Sequence, residues 1–135
     1  MDILIDASAL ISVLIDEPEK RQIIHQTRNC NLIAPIILPY EIGNALTRLI
    51  KRHIMSTEEV IMAFNEYKKI PLRLLNIDFE NALLLACKYA IYAYDAYYLE
   101  LASRLNLPLL TLDGSMKKVA MDLKLRILED LNENI

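Results

Sequence analysis

The sequence has few of the residues that build zinc sites, disulfides or thiol chemistry. It contains two cysteines and two histidines in 135 residues. Cys30 and Cys87 are far apart and outside any C-x-x-C spacing, so each is interpreted as an isolated thiol. His25 and His53 match no metal-ligand spacing, and a position at a helix end explains His53, because the helix dipole favours a cation there. This scarcity argues against a zinc site and against a disulfide framework.

Glycine is equally scarce, since Gly43 and Gly114 are its only occurrences. A glycine-rich loop that cradles phosphates needs several glycines at fixed spacing, so the chain has none. The formal net charge of −3 argues against tight, non-specific nucleic-acid binding through a broad basic face. It does not exclude a nucleic-acid substrate, because clustered carboxylates that hold divalent cations contribute negative charge that the bound ions neutralise.

Long apolar runs are missing as well. No run approaches the roughly 20 residues of a transmembrane helix, and the start MDILID has neither a basic region nor a small-residue cleavage site. The expectation is therefore a cytoplasmic protein that does not span a membrane. The hydrophobic fraction of 54% is enough for a well-filled core, and we expect a single domain over residues 1–135.

The stretch MDILIDASALISV at the start organises the prediction. Ile3, Leu4 and Ile5 form a short run typical of a strand buried on both faces of a parallel sheet. Asp6 ends this strand, and Ser8 suits the N-cap of the amphipathic helix that follows. Because open α/β sheets bind ligands at the carboxyl ends of central strands, Asp6 is the first candidate site residue.

Strands and helices alternate along the rest of the chain. Further strands are predicted at Leu32 to Ala34, Leu72 to Ile77, Leu109 to Leu112 and Leu125 to Leu128. The alternation predicts an α/β fold with three layers, in which helices cover both faces of a central parallel five-stranded sheet. Such sheets place the first strand near the middle, so Asp6 and Asp113, which follow the first and fourth strands, are expected to meet. The predicted helix from Phe79 to Tyr92 is apolar nearly all round, which predicts packing between other elements.

Two more acids stand in apolar surroundings. Glu41 lies in PYEIGNAL within the first turn of a predicted helix, and Asp95 lies in IYAYDAYYLELA at a helix start. Charged residues are rarely buried unless they are paired or bind metal. Each acid alone has a simpler interpretation, with Asp95 and Asp113 as N-caps, Glu41 as a first-turn acid and Asp6 as a turn former. All four, however, lie at strand or helix ends that can share one rim of the sheet.

A cluster of three or four carboxylates has a definite chemistry. Without His or Cys it is an oxygen-only site that suits Mg²⁺ or Mn²⁺ and suits zinc poorly. With two metals roughly 4 Å apart, or one metal beside the substrate, such a site activates water and stabilises the charge that builds on a phosphodiester. The carboxylates serve as ligands and as general base, so no nucleophilic Ser, Cys or His is required.

The chain resembles the PIN domain, the metal-dependent ribonuclease fold of the VapC toxins of toxin–antitoxin pairs, in four ordered motifs: ILIDASALISVL, PYEIGNAL, YDAYYLELA and TLDGSMKKVA. The resemblance covers essentially the whole chain. It implies that the family's acidic quartet, catalytic and metal-binding with Mg²⁺ or Mn²⁺, falls on Asp6, Glu41, Asp95 and Asp113. It also implies a five-stranded parallel sheet, RNA as the substrate of an endoribonuclease, frequent homodimers, and a cognate antitoxin whose basic residues enter the acidic pocket.

Further residues are predicted to support this site. Ser8 and Thr111 match hydroxyl positions beside the first and last Asp of the pattern, where they can hydrogen-bond and orient a carboxylate. Helix capping for Ser8 and strand preference for Thr111 explain them equally well. The predicted phosphate contacts are basic residues that follow the acids by helical turns, namely Arg48, Arg52, Lys117 and Lys118. A solvated helix face is the simpler explanation for any single one of them.

Four tyrosines surround Asp95 in the sequence: Tyr92, Tyr94, Tyr97 and Tyr98. A ring near the pocket can stack on an unpaired base, as in single-strand recognition. Core packing or a dimer interface is the simpler explanation, since tyrosine is common in both.

Other families that begin with a strand and an Asp fit poorly. A haloacid-dehalogenase-like phosphatase needs a second Asp two residues later, where Ser8 stands, and a receiver domain needs an acidic neighbour that Asp6 lacks. A PIN-like nucleic-acid-binding or assembly module without nuclease activity stays open, because a fold does not determine an activity.

Overall fold

The computed structural model describes residues 1–128, and residues 129–135 of the predicted domain lie outside the described part. Strands and helices alternate along residues 1–128, which confirms the predicted α/β class. In chain order they are β1 (Asp2–Ile5), α1 (Ala7–Leu14), α2 (Lys20–Thr27), β2 (Asn31–Pro35), α3 (Leu38–Lys51), α4 (Thr57–Lys68), β3 (Leu72–Leu75), α5 (Phe79–Tyr89), α6 (Ala93–Leu105), β4 (Leu109–Leu110) and α7 (Gly114–Asp122).

The strands form one parallel sheet in the order β3-β2-β1-β4. On one side β1 pairs Leu4 with Leu109 of β4, and on the other it pairs Ile3 with Leu32 of β2. Ile3, Leu4 and Ile5 are 0%, 0% and 1% exposed, as expected for a strand covered on both faces. The inner position of β1 is therefore confirmed, and the carboxyl ends of β1 and β4 lie side by side.

The prediction of a fifth strand is wrong, because the sheet of the described residues has four. The segment predicted as a strand, Leu125 to Leu128, forms a single parallel bridge between Ile127 and Leu109. Two hydrogen bonds support it, from Leu109 N to Arg126 O at 2.8 Å and from Leu128 N to Leu109 O at 2.9 Å. Since β4 itself has only two residues, it offers too short an edge for a longer ladder.

The helices that carry candidate site residues are anchored in the core. On α3, Ile42 and Leu46 are buried, as the one-sided apolar pattern of this helix requires. On α6, Leu99 and Leu101 are completely buried, and the helix packs on β1 and β2. None of the helices in residues 1–128 is long and apolar enough to cross a lipid bilayer.

The prediction that the helix after β3 packs between other elements is wrong for the single chain. The helix α5 packs on α6 with Ala82 buried, but Leu83 and Leu84 are 49% and 63% exposed. Among the described residues α6 is its main packing partner, so the face of α5 that points away from α6 stays exposed.

Candidate active site

An acidic cavity opens at the carboxyl ends of β1 and β4. Asp6 follows β1 and is the N-cap of α1, and Asp113 follows β4 and is the N-cap of α7. Glu41 and Asp95 lie in the first turns of α3 and α6. All four carboxylates line one cavity of about 530 Å³. The strand order and the starts of four helices therefore bring together acids that are spread along the whole sequence.

Two hydroxyls hold Asp6, which is only 3% exposed. Ser8 Oγ donates to Asp6 Oδ1 at 2.7 Å, and Thr111 Oγ1 donates to Asp6 Oδ2. The hydroxyls in turn accept backbone N–H bonds, Ser8 from Leu112 and Thr111 from Asp113, each at 3.0 Å. Because each hydroxyl accepts a fixed backbone donor, its own proton is directed at Asp6. This network also ties the end of β1 to the turn between β4 and α7.

The prediction of Ser8 as the N-cap of the first helix is wrong. The helix begins at Ala7, and the cap is Asp6, whose Oδ1 accepts from Ala9 N at 3.1 Å. Ser8 lies inside the first turn, where its hydroxyl reaches back to Asp6.

Glu41 is bound by a residue whose role the sequence did not reveal. Tyr98 donates its hydroxyl to Glu41 Oε1 at 2.6 Å, across a sequence separation of 57 residues. Tyr98 is 2% exposed and follows Asp95 by three residues, so both lie on the same face of α6. That spacing was the available signal that Tyr98 faces the acids, but its partner on α3 is too distant in sequence to be inferred.

Asp95 and Asp113 differ sharply in their hydrogen bonding. Asp113 Oδ1 accepts from Ser115 N at 2.9 Å, Ser115 Oγ at 2.6 Å and Met116 N at 3.2 Å. Within residues 1–128 the partly buried carboxylate of Asp95 accepts no hydrogen bond and forms no ion pair. The predicted N-cap role therefore holds for Asp113 but not for Asp95, because α6 begins earlier, at Ala93.

The acids perturb one another electrostatically. Burial is the main cause that raises the pKa of Asp6, Glu41 and Asp95. Neighbouring carboxylates raise these pKa values further, Asp113 acting on Asp6 and Asp95, and Asp6 acting on Glu41 and Asp95. For Asp113, burial is outweighed by the hydrogen bonds from Ser115 and Met116, which hold its pKa below the usual value. A fully ionised cluster is thus unfavourable unless a cation neutralises it.

The donor set fits a hard divalent cation. Within residues 1–128, neither carboxylate oxygen of Asp95 accepts a hydrogen bond, and the same is true of Asp113 Oδ2 and Glu41 Oε2. Oxygen-only donors of this kind suit Mg²⁺ or Mn²⁺. In the same residues no group of three acidic, histidine or cysteine side chains is tight enough to enclose a metal ion.

The structure separates the basic residues predicted to contact phosphate. Arg48, two helical turns after Glu41, lines the acidic cavity. Arg52 is exposed beyond the end of α3, Lys118 is exposed on α7, and Lys117 lines a different cavity, beside Thr111 and Gln22. Among the described residues that line the acidic cavity, Arg48 is the one cationic side chain. Glu17 lines the cavity too, although its sequence context gave no signal.

Comparison with known proteins matches this arrangement to one family. The family model of the PIN domain matches residues 3–121. Ribonuclease VapC3 of Pyrobaculum aerophilum is 26% identical over 121 residues, covering 86% of this chain and 92% of that protein.

Two solved structures share the fold. PAE2754 from Pyrobaculum aerophilum superposes with a TM-score of 0.66 at 23% identity, covering 88% of this chain and 87% of that chain. VapBC2 from Rickettsia felis, bound to a DNA fragment from the promoter, gives a TM-score of 0.65 at 11% identity, covering 95% and 98%.

Proposed function

The chain belongs to the PIN domain family, and we propose that it is a metal-dependent endoribonuclease, the toxin of a VapBC-type toxin–antitoxin pair. The observation that supports this most strongly is the convergence of Asp6, Glu41, Asp95 and Asp113 on one cavity. The four acids form no ion pair within residues 1–128, and carboxylates that stand together in this way are costly, so metal binding is the chemistry that this arrangement serves.

The four carboxylates would hold the cation, and other residues orient the carboxylates. Ser8 and Thr111 restrict the orientation of Asp6, and Tyr98 restricts that of Glu41. When bound, Mg²⁺ or Mn²⁺ supplies an activated water and positive charge that stabilises the in-line displacement at phosphorus.

Arg48 positions the phosphodiester. Arg48 lines the same cavity as the acids, and a guanidinium can form two parallel hydrogen bonds to phosphate oxygens. A substrate phosphate held there lies next to the carboxylates, so binding and hydrolysis occur in one cavity.

RNA is the proposed substrate, and a cognate antitoxin is the proposed partner. The relatives include a protein named as a ribonuclease and a VapBC complex. The homodimer is also proposed, and the exposed Leu83 and Leu84 of α5 supply an apolar surface suited to such an interface.

Cleavage of a labelled single-stranded RNA by purified protein tests the nuclease. We expect cleavage with Mg²⁺ or Mn²⁺, and none with EDTA or with Asp95→Asn. The matched control is Glu80→Gln, which neutralises an exposed acid in the first turn of α5, outside the cavity, and is expected to cleave normally. Folded wild-type protein that cleaves no RNA, or an active Asp95→Asn variant, contradicts the proposal and favours a binding or assembly module.

The toxin role is tested separately, by induced expression in growing cells. Wild-type protein should slow growth, whereas Asp95→Asn should not, at equal protein levels. Cleavage in vitro without any effect on growth would support the nuclease activity and contradict the toxin role.

A further inference from the structure

A second cavity adjoins the acidic one. Its volume is about 460 Å³, within the range of small-molecule binding sites. It shares Glu41, Arg48 and Asp95 with the acidic cavity, so the two cavities lie side by side. The side chains that belong to the second cavity alone are Ile37, Tyr40, Asn44, Tyr92 and Tyr94. We call it the tyrosine cavity.

Its three tyrosine rings are unusually exposed. Tyr40, Tyr92 and Tyr94 are 76%, 84% and 54% exposed. Within residues 1–128, the side chains of Tyr40 and Tyr92 make no ring contact and no hydrogen bond. The ring of Tyr94 meets that of Tyr97 edge to face, with 5.9 Å between centroids, and still leaves more than half of its surface open. Three aromatic rings with accessible surface therefore surround one depression.

The same helix starts carry both the rings and the acids. Tyr40 directly precedes Glu41 at the start of α3, and Tyr94 directly precedes Asp95 at the start of α6. A ligand seated on the rings is therefore held beside the carboxylates, and one part of it can occupy each cavity.

We propose that the tyrosine cavity binds an unpaired nucleobase of the single-stranded RNA whose phosphodiester lies at the acids. This inference rests on the proposed nuclease function. Every base has a flat face, so stacking on tyrosine recognises single strands without requiring one sequence. Arg48, which lines both cavities, contacts the phosphate between the two positions. The amide of Asn44 can donate to a base edge and accept from it.

The charges of the chain indicate that contacts with a nucleobase, rather than electrostatic attraction of the phosphate backbone, supply the affinity for RNA. The chain has a net charge of −3, and Arg48 is the one cation among the described residues that line the two cavities. Attraction of the phosphate backbone is correspondingly weak, so contacts with the bases must supply binding.

Charge also disfavours a second copy of the chain as the occupant. A two-fold contact centred on the tyrosine cavity would bring Glu41 and Asp95 of both copies together. Like charges that face each other across an interface oppose association.

Binding without cleavage tests the tyrosine cavity. In EDTA at low salt, fluorescence anisotropy compares a labelled single-stranded RNA of about ten nucleotides with an abasic strand of the same length. Wild-type protein should bind the strand with bases more tightly. Tyr40→Ala and Tyr92→Ala should each weaken that binding by about 5- to 150-fold and leave the abasic strand unaffected. Tyr92→Phe should bind normally, whereas Tyr92→Leu, which keeps apolar area but lacks the aromatic face, should not.

A matched control removes an exposed apolar side chain elsewhere. Met62 on α4 is 67% exposed and lies outside both cavities, so Met62→Ala should bind RNA as the wild type does. Equal thermal stability of all variants shows that a loss of binding is not a loss of folding.

The outcomes separate this inference from the proposed function. Base-dependent binding that needs the tyrosines, without cleavage in Mg²⁺ or Mn²⁺, supports base binding in the tyrosine cavity and contradicts the proposed nuclease function. RNA cleavage by the wild type, together with unchanged RNA affinity of Tyr40→Ala and Tyr92→Ala, contradicts base binding in the tyrosine cavity and leaves the nuclease function supported. Equal affinity of the wild type for both strands, or binding to neither, overturns base binding as well. A shift of Tyr40→Ala or Tyr92→Ala from dimer to monomer in sedimentation, without any change in RNA affinity, also overturns the proposed base-binding role. That result would identify the rings as a contact between copies.

Discussion

An Asp95→Asn substitution should raise the stability of the metal-free protein. The carboxylate of Asp95 is partly buried, accepts no hydrogen bond within residues 1–128, and is repelled by Asp113 and Asp6. The amide that replaces it has nearly the same shape, loses no hydrogen bond and carries no charge. The variant therefore keeps the packing of the wild type and removes the repulsion.

The magnitude follows from three opposing contributions. Repulsion by two neighbouring carboxylates costs about 0.2–1 kcal/mol for each pair, and burial adds a cost for the charged form. The helix dipole acts in the opposite direction by about 0.3–1 kcal/mol, because Asp95 lies in the first turn of α6. We expect a net gain of about 0.5–1 kcal/mol, which for a chain of 135 residues raises Tm by about 2–4 °C.

Asp113→Asn is the matched comparison, since it makes the same change at another helix start in the same cavity. Asp113 accepts three hydrogen bonds from Ser115 and Met116, and bonds to a charged acceptor are stronger than bonds to an amide. We expect this variant to lose about 1 kcal/mol. Thermal and urea unfolding in EDTA at pH 7 measure both changes. If Asp95→Asn destabilises the protein as much as Asp113→Asn does, the four acids do not form one repelling cluster.

The dependence on pH should differ in the same way. The pKa of Asp95 is raised on folding, by burial and by Asp113 and Asp6, from its ordinary value of 3.8. The charge therefore costs stability above the raised pKa, and the advantage of Asp95→Asn should disappear as the pH falls through that pKa towards 3.8. The pKa of Asp113 is lowered, so its charge stabilises the fold above 3.8, and this contribution is lost only as the pH falls through the lowered value.

Three further outcomes can be measured. Tyr98→Phe removes the hydrogen bond to Glu41 and should lower the unfolding free energy by about 1.5–3 kcal/mol at pH 7. The loss should be smaller at an acidic pH at which Glu41 is protonated, and an equal loss at pH 7 and at that acidic pH would contradict this. Glu100→Gln weakens the ion pair between buried Glu100 and partly exposed Arg104, and should cost about 2 kcal/mol in urea unfolding while cleavage per folded molecule stays unchanged. Ser56→Ala breaks the capping box of α4 and should lower stability by about 1 kcal/mol, and no change in Tm would argue against the cap.

Local sequence patterns predicted the elements whose causes are local. The apolar run Ile3 to Ile5 predicted a fully buried strand, because the burial pattern of a strand depends on neighbouring residues. The same reasoning failed at Ser8, because Asp6 caps the helix instead and the helix begins two residues earlier than a cap at Ser8 requires. It failed also at Leu125 to Leu128, because a strand needs a partner edge and β4 is too short to provide one.

The candidate acids were recognisable from sequence because each interrupts an apolar stretch at the end of a strand or the start of a helix. Whether they converge depends on the order of the strands, which can be predicted from a single sequence only by applying general rules of α/β folds. The structure places β1 beside β4 and thereby brings Asp6 next to Asp113. It also decides which basic residue joins them, since Arg48 lines the cavity and Arg52, one turn further along, does not.

The sequence by itself thus determined the class of the fold and the residue types available for chemistry, because periodicity and charge are local properties. Tertiary structure alone decided the contacts between distant segments: the bond from Tyr98 to Glu41, the hydroxyls around Asp6, and the exposure of Tyr40 and Tyr92. The physical reason is that a hydrogen bond or an exposed ring depends on which elements pack together. That packing is a property of the whole chain.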